Sequence, residues 1–209
     1  LRDSGPSRSN IVPILYRPFD VRYTYYTGRS RGFHCMPRPE VMRHMLAGEN
    51  VALIVPRRVE HVGGWKHVFV CETISEHVTV SLKTIDYHFP LYLYPDAEAR
   101  DLFRRPEPQQ RQSNIRPQML ERLAVAYGHA PTPEQVFAYI YALLHAPSYR
   151  ERYAEFLRLD FPRIPFPQRW ETLAALADLG QRLMDLHLLR SRELESPLAR
   201  FEGSGDNRV

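Results

Sequence analysis

Basic residues stand at the turns of the first third of this chain. Arg29 and Arg31 follow Gly28 in TGRSRG, and Arg38 sits between two prolines in MPRPE. Arg57 and Arg58 follow the apolar run VALIV and lead into VEHVGGWKH, which also carries His61, Trp65 and Lys66. A further turn holds Ser81 and Lys83. Arginine offers a bidentate fork to a guanine edge, and lysine a point charge to phosphate. These ten residues are the candidate contacts to a nucleic acid. Of the Arg57–Arg58 pair, Arg57 is the expected partner in a structural ion pair. Arg58, one residue further from the strand end, is expected to project into a groove.

Other chemistry is weaker or missing. His61, His67, Cys71 and His77 fall within seventeen residues, but zinc ligands usually show tighter paired spacings. No metal site is expected, and a small metal-dependent hydrolase using His61, His67 and Cys71 is the least favoured alternative. Glu72 and Glu76 read as solvated charges flanking a turn. The chain has no glycine-rich phosphate loop and no Gly-x-Ser-x-Gly elbow. It also lacks the Asn/Asp-Pro-Pro-Tyr motif of amino-group methyltransferases. No cofactor and no catalysis are expected of this chain by itself.

Charge is distributed unevenly. The net charge is +4 over 209 residues. Residues 1–66 hold eleven Lys/Arg against five Asp/Glu, a net of +6, and the remainder is net −2. A basic first third fits a polyanionic partner. Two cysteines are too few for a disulfide framework and fit a reducing cytosol, so a cytoplasmic location is expected. No apolar run is long enough to span a membrane. The chain starts at Leu1 and reads as a piece of a longer protein.

The elements that must position these side chains suggest an α+β fold. Residues 1–10 read as a flexible entry. Residues 11–96 read as a basic mixed-sheet lobe built from VRYTYY, VALIV, HVFVCET, VTVSL and YHFPLYLY, with one short helix in PRPEVMRHMLAG. Val41, Met42, Met45 and Leu46 would form its buried stripe. In VRYTYY, alternation puts Val21, Tyr23 and Tyr25 on one face, expected in the core, and Arg22, Thr24 and Tyr26 on the other. Residues 97–116 are charged and proline-broken, and read as a linker. Residues 117–192 read as a helical lobe. Thr132–Gln135 and Ser148–Glu151 look like capping boxes, the second launching a helix with Tyr149, Tyr153 and Phe156 on one face. DFPRIPFP must run extended, and residues 193–209 read as a disordered tail.

YRPFDVRYTYY, then FHCMPRPEVMRHM, then FAYIYALLHAPSYRERYAEFLRLDFPRIPFP resemble the C-terminal target-recognition region of type ISP restriction-modification enzymes. Related single-chain adenine methyltransferases share that region. The resemblance covers most of residues 16–190. It implies sequence-specific binding of double-stranded DNA by a non-catalytic module. It also implies a covalently linked upstream methyltransferase domain, absent from this chain, to which S-adenosylmethionine would belong. Within that frame Arg17 and Asp20 are expected to pair and fix a turn. Phe161, Ile164 and Phe166 are expected to anchor the helical lobe on the sheet, with Arg163 paired to a carboxylate rather than a phosphate. The alternative from another class is a protein-interaction scaffold whose helical lobe docks a partner subunit.

Overall fold

The computed structural model describes residues 6–30, 33–59, 64–95, 111–199 and 202–204. It is α+β, with three small sheets where the sequence suggested one. The first sheet has the order β2-β1-β5: Asp20–Tyr25 lies antiparallel to Ile11–Arg17, and Ile74–Ser75 lies parallel to it. The second has the order β4-β3-β6, with Phe69–Cys71 and Asp86–Pro90 both antiparallel to Ala52–Pro56. The third pairs β7, Tyr92–Leu93, with β8, Gln112–Ser113. YHFPLYLY is thus split between two sheets at Pro90-Leu91, where proline lacks the N–H a continuous strand would need. VTVSL forms no strand, because it is folded into turns.

Several expectations are corrected at the first sheet. Val21 and Tyr23 face solvent, Tyr23 at 76% exposure, while Tyr26 is buried at 8%. The Tyr26 hydroxyl donates to the Pro37 carbonyl at 2.7 Å. A period of two tells which residues share a face but not which face turns inward. Arg17 and Asp20 are not partners: Arg17 pairs with Glu76 at 3.2 Å and Asp20 with Arg22 at 2.7 Å. Both guanidinium groups also lie over the Tyr16 ring, at 4.1 and 4.0 Å. The hairpin tip instead depends on Phe19, held at φ 67°, a strained value for a residue with a Cβ. Its ring offsets that strain by edge-on packing against Phe69 and His187, at 5.1 and 6.0 Å. The entry at 7–10 is tied down rather than loose. The Tyr25 hydroxyl accepts from the Ser7 amide at 3.0 Å and from the Asn10 side chain at 3.1 Å.

The helices follow their signals closely. Pro39–Leu46 forms α1, which buries Met45 and His44 but leaves Leu46 exposed. Pro117–Tyr127 forms α2 and ends on Gly128 at φ 66°. Pro133–His145 forms α3 behind a complete capping box: Thr132 Oγ1 accepts from the Gln135 amide, and Gln135 Oε1 accepts from the Thr132 amide. The second expected box does not form. Pro147 starts α4, Pro147–Arg152, so Ser148 lies inside the helix and caps nothing. The chain then breaks at Tyr153 before α5, Ala154–Leu159. Tyr149 is buried, but Phe156 is exposed. The last helix, α6, runs Trp170–His187.

One core crosses the chain. Val55, Val59, Trp65, Val68, Val70 and Leu91 pack in the same cluster as Phe137, Tyr141, Leu144, Leu173 and Met184. A smaller cluster under the first sheet gathers Leu15, Tyr26, Met45, Ile54 and Phe69. The proline-rich segment after α5 is anchored as expected, with Phe161, Ile164 and Phe166 against the larger core. The described end of the 97–116 segment contributes β8 to the third sheet.

The tightest backbone approach is between α3 and α6. A Cβ added at Gly180 would fall 1.9 Å from the Ala138 carbonyl oxygen. Gly180→Ala is expected to cost roughly 3 kcal/mol or more of unfolding free energy, the upper range for overpacking against backbone. Gly128→Ala, where space is open but φ is positive, should cost only about 1 kcal/mol. Urea unfolding of both variants checks this; equal small losses would mean that α3 and α6 can move apart freely.

Candidate nucleic-acid interface

The register of the second sheet gathers the basic turns. Pro56 of β3 lies opposite Asp86 of β6, and Ile54 lies opposite Phe69 of β4. Arg57 and Arg58, the approach to β4 with Lys66, and the 78–85 turns with Ser81 and Lys83 therefore leave the same end of one sheet. Arg57, Arg58, Lys66 and Lys83 are all exposed there. Arg58, Lys66 and Lys83 form no ion pair among the described residues.

The loop after β3 is anchored, not free. Val59 and Trp65 are buried at 2% and 5%, and both join the larger core. Trp65 was expected to be available to a ligand. Its large apolar ring instead packs inward, under the Arg150 guanidinium at 5.7 Å. Arg31 and His61 lie outside the described residues. Ser81 is half-buried, and its Oγ accepts from the Lys83 amide at 3.2 Å, which shapes the turn rather than reaching outward.

Arg29 and Arg38 belong to a different place. The pairing of Ile11 with Tyr25 puts the 27–30 turn at the start of β1, with Pro39 near enough that a Cβ added at Gly28 would lie 3.5 Å from it. Glu76 and Thr79 bind the other end of β1, at Leu15 and Arg17. Two basic regions thus sit toward opposite ends of that strand, which is about 20 Å long at some 3.3 Å per residue. Arg38 caps α1 with φ 49° and lies 3.9 Å from Glu40.

Arg57 does make the expected ion pair, with a partner no local pattern announces. Its Nε donates to Asp160 Oδ1 at 2.8 Å, across 103 residues of sequence. Hydrogen bonding from Arg57 holds the Asp160 carboxyl below its ordinary range, helped by the Phe161 amide and the charges of Arg57 and Arg163. Arg163 itself forms no ion pair among the described residues; the carboxylate it was matched with is taken by Arg57. Beside this pair, β6 turns Tyr87 and Phe89 outward, and Ile85 just before it is also exposed. The Phe161 ring meets Tyr87 and Phe89 edge-on, at 4.9 and 5.6 Å.

Of the three hydrolase residues, His61 lies outside the described residues, and Cys71 is not placed for nucleophilic work. Cys71 is buried, its thiol donates to the Thr73 carbonyl at 3.2 Å, and burial pushes it up to about 12. The histidine nearest it is His88, with Nε2 at 3.9 Å, and burial lowers His88 to about 4. Among the described residues no three His, Cys, Asp or Glu converge as metal ligands would. Glu72, read as solvated, pairs with Arg190 at 2.6 Å. No described helix is long and apolar enough to cross a membrane.

Asp86 secures the Ser81–Lys83 turn from beneath. Its Oδ2 accepts from the Val80 amide at 2.8 Å, while Oδ1 is buried with no hydrogen-bond partner among the described residues. Burial raises its carboxyl to about 7, with the Glu76 charge adding to that and the Val80 and Thr79 amides opposing. An unfolded aspartate titrates near about 4, so the folded state holds this proton more tightly. Asp86 therefore lends most stability below about pH 4, and that contribution is lost as pH rises through about 7. Asp86→Asn keeps an acceptor for Val80 and should gain thermal stability on wild type between pH 5 and pH 8. Parallel melting profiles for the two proteins would show that the carboxyl is not strained by burial.

The family model for the Type ISP C-terminal specificity domain matches residues 2–209. No curated protein matches the chain. Among solved structures, the chain resembles a cryo-EM DrdV–DNA complex at 30% identity and a TM-score of 0.65, covering 87% of this chain and 16% of that one. It shares the fold of a nuclease-deletion mutant of the Type ISP restriction-modification enzyme LlaGI in complex with a DNA substrate mimic. That match has 21% identity and a TM-score of 0.62, over 88% of this chain and 14% of that one. The ATP-dependent Type ISP enzyme LlaBIII bound to DNA matches at 22% identity and a TM-score of 0.64, over 88% and 11%. The chain spans less than a fifth of the length of each.

Proposed function

The chain belongs to the Type ISP C-terminal specificity domain family, and from that premise we propose that it is the sequence-specific duplex-DNA recognition module of a larger restriction-modification enzyme. The observation that carries the reading is the end of the β4-β3-β6 sheet. Three chain segments there present Arg57, Arg58, Lys66 and Lys83 to solvent, and three of these cations have no carboxylate partner among the described residues. Exposed cations brought together by fold rather than by sequence raise the local potential, which a polyanion relieves.

Roles divide by chemistry. Lys66 and Lys83 are phosphate contacts that fix register, and the two arginines suit base edges. Arg29 and Arg38, at the far end of β1, extend the contact along the duplex backbone. Methyl transfer to adenine belongs to a methyltransferase domain outside this chain, which is also where S-adenosylmethionine would bind. This chain's part is to grip and to select.

Salt titration tests the reading. Log affinity for duplex DNA should fall by about 0.9 per phosphate contact for each log unit of salt. Lys66→Ala and Lys83→Ala should weaken binding to all sequences alike, and each should shallow that slope by about 1. Arg58→Ala should instead lose about 1–3 kcal/mol on the preferred sequence and far less on random DNA. Affinity that is flat from low to physiological salt would favour a protein-interaction role over DNA recognition.

A further inference from the structure

Arg57 is held in an unusual way for a surface arginine. Its single described polar contact is through Nε, to Asp160 Oδ1 at 2.8 Å. No described residue takes its Nη1 or Nη2 atoms. The carboxylate that holds it is itself fixed. Asp160 ends α5 in extended backbone, and its Oδ1 also accepts from the Phe161 amide at 2.9 Å. Phe161 is in turn seated between the outward rings of Tyr87 and Phe89 on β6. Both partners in the pair remain about 60% exposed, at 59% and 61%. A ligand can therefore reach the guanidinium without displacing the core.

We propose that Asp160 is a positioning residue for base reading: it steers Arg57 from the helical side so that the paired Nη1 and Nη2 donors face the O6 and N7 of one guanine. This rests on the DNA-recognition reading above and deepens it, and it adds Arg57, paired rather than free, to the arginines that set specificity. A guanine edge takes two donors from one guanidinium, and a carboxylate on Nε leaves those two donors available while restricting rotation about the side-chain bonds. The same geometry disfavours other bases, because a fixed fork cannot turn to meet a single acceptor elsewhere.

The test is selection from a randomised duplex pool by the full-length protein, read by sequencing, with thermal melting as a fold control. Arg57→Ala should relax the preference at one base pair by about 10- to 100-fold. Asp160→Ala should relax the same base pair by about 5- to 10-fold and leave other positions as they are. The double variant should be no worse than Arg57→Ala, since the two residues act as a unit. Asp160→Asn, which retains an oxygen acceptor for Nε, should restore the preference to within about threefold of wild type. An Asp160→Ala profile unchanged at every position overturns the proposal, and so does a loss spread evenly over all sequences. Stronger binding with a steeper salt slope would show Asp160 sequestering Arg57 and also overturns it. A wild-type protein without base preference overturns the recognition reading itself, and this inference with it.

Discussion

The structure turns on three tyrosine hydroxyls. The segment from Asp160 to Gln168 carries prolines at 162, 165 and 167, so it can neither join a helix nor a ladder. Its carbonyls nevertheless need partners where they are half-buried. Tyr149 donates to the Arg163 carbonyl at 2.7 Å, Tyr139 to that of Pro165, and Tyr127 to that of Pro167 at 2.7 Å. Alternate residues of an extended chain face one way, and three hydroxyls from α4, α3 and α2 meet that spacing. Phe166, between two of those carbonyls, stacks on Tyr139 at 5.4 Å. Burial raises both Tyr139 and Tyr149 to about 12, so both hydroxyls remain protonated donors throughout the physiological range.

That clamp has a consequence at the other end of the segment. With Arg163 fixed, the chain just before it cannot wander, and Phe161 reaches the β6 rings while Asp160 reaches Arg57. The ion pair does not hold the two parts of the fold together. An exposed pair is screened by solvent and contributes little, and the shared apolar core around Tyr141, Leu173 and Val70 does far more. The pair is better understood as a result of the packing than as its cause.

What could be read from the sequence was local. Thr132-Pro133-Glu134-Gln135 announces α3 because every interaction of a capping box lies within four residues. The basic turns are legible for the same reason: residue type and turn position are both local facts. What failed was anything needing a partner at a distance. Tyr26 and Tyr23 exchanged faces because a hairpin's inward side depends on what packs beneath it, here Met45 and Phe69. Arg17 found Glu76, and not Asp20 three residues away, because β5 runs parallel to β1 and brings residue 76 alongside. Trp65 looked like a loop aromatic until the core behind it was visible. Asp160 carried no signal at all, since nothing in DFPR indicates which arginine 103 residues upstream it will meet.

The two adjacent arginines then differ in kind, though the sequence gives them the same chemistry. Arg58 is exposed with no ion pair among the described residues, so any ligand that captures it must order a side chain carrying about 2 kcal/mol of rotamer entropy. Arg57 has met part of that cost on folding, because Asp160 already limits its conformations. A charge that is free to move suits a phosphate, which accepts from many directions and rewards proximity more than angle. A charge that is already aimed suits a base edge, where two parallel hydrogen bonds form together or hardly at all. On this argument, Arg57 reads a base edge at the smaller ordering cost, and its free neighbour Arg58 reads one only by meeting that cost on binding.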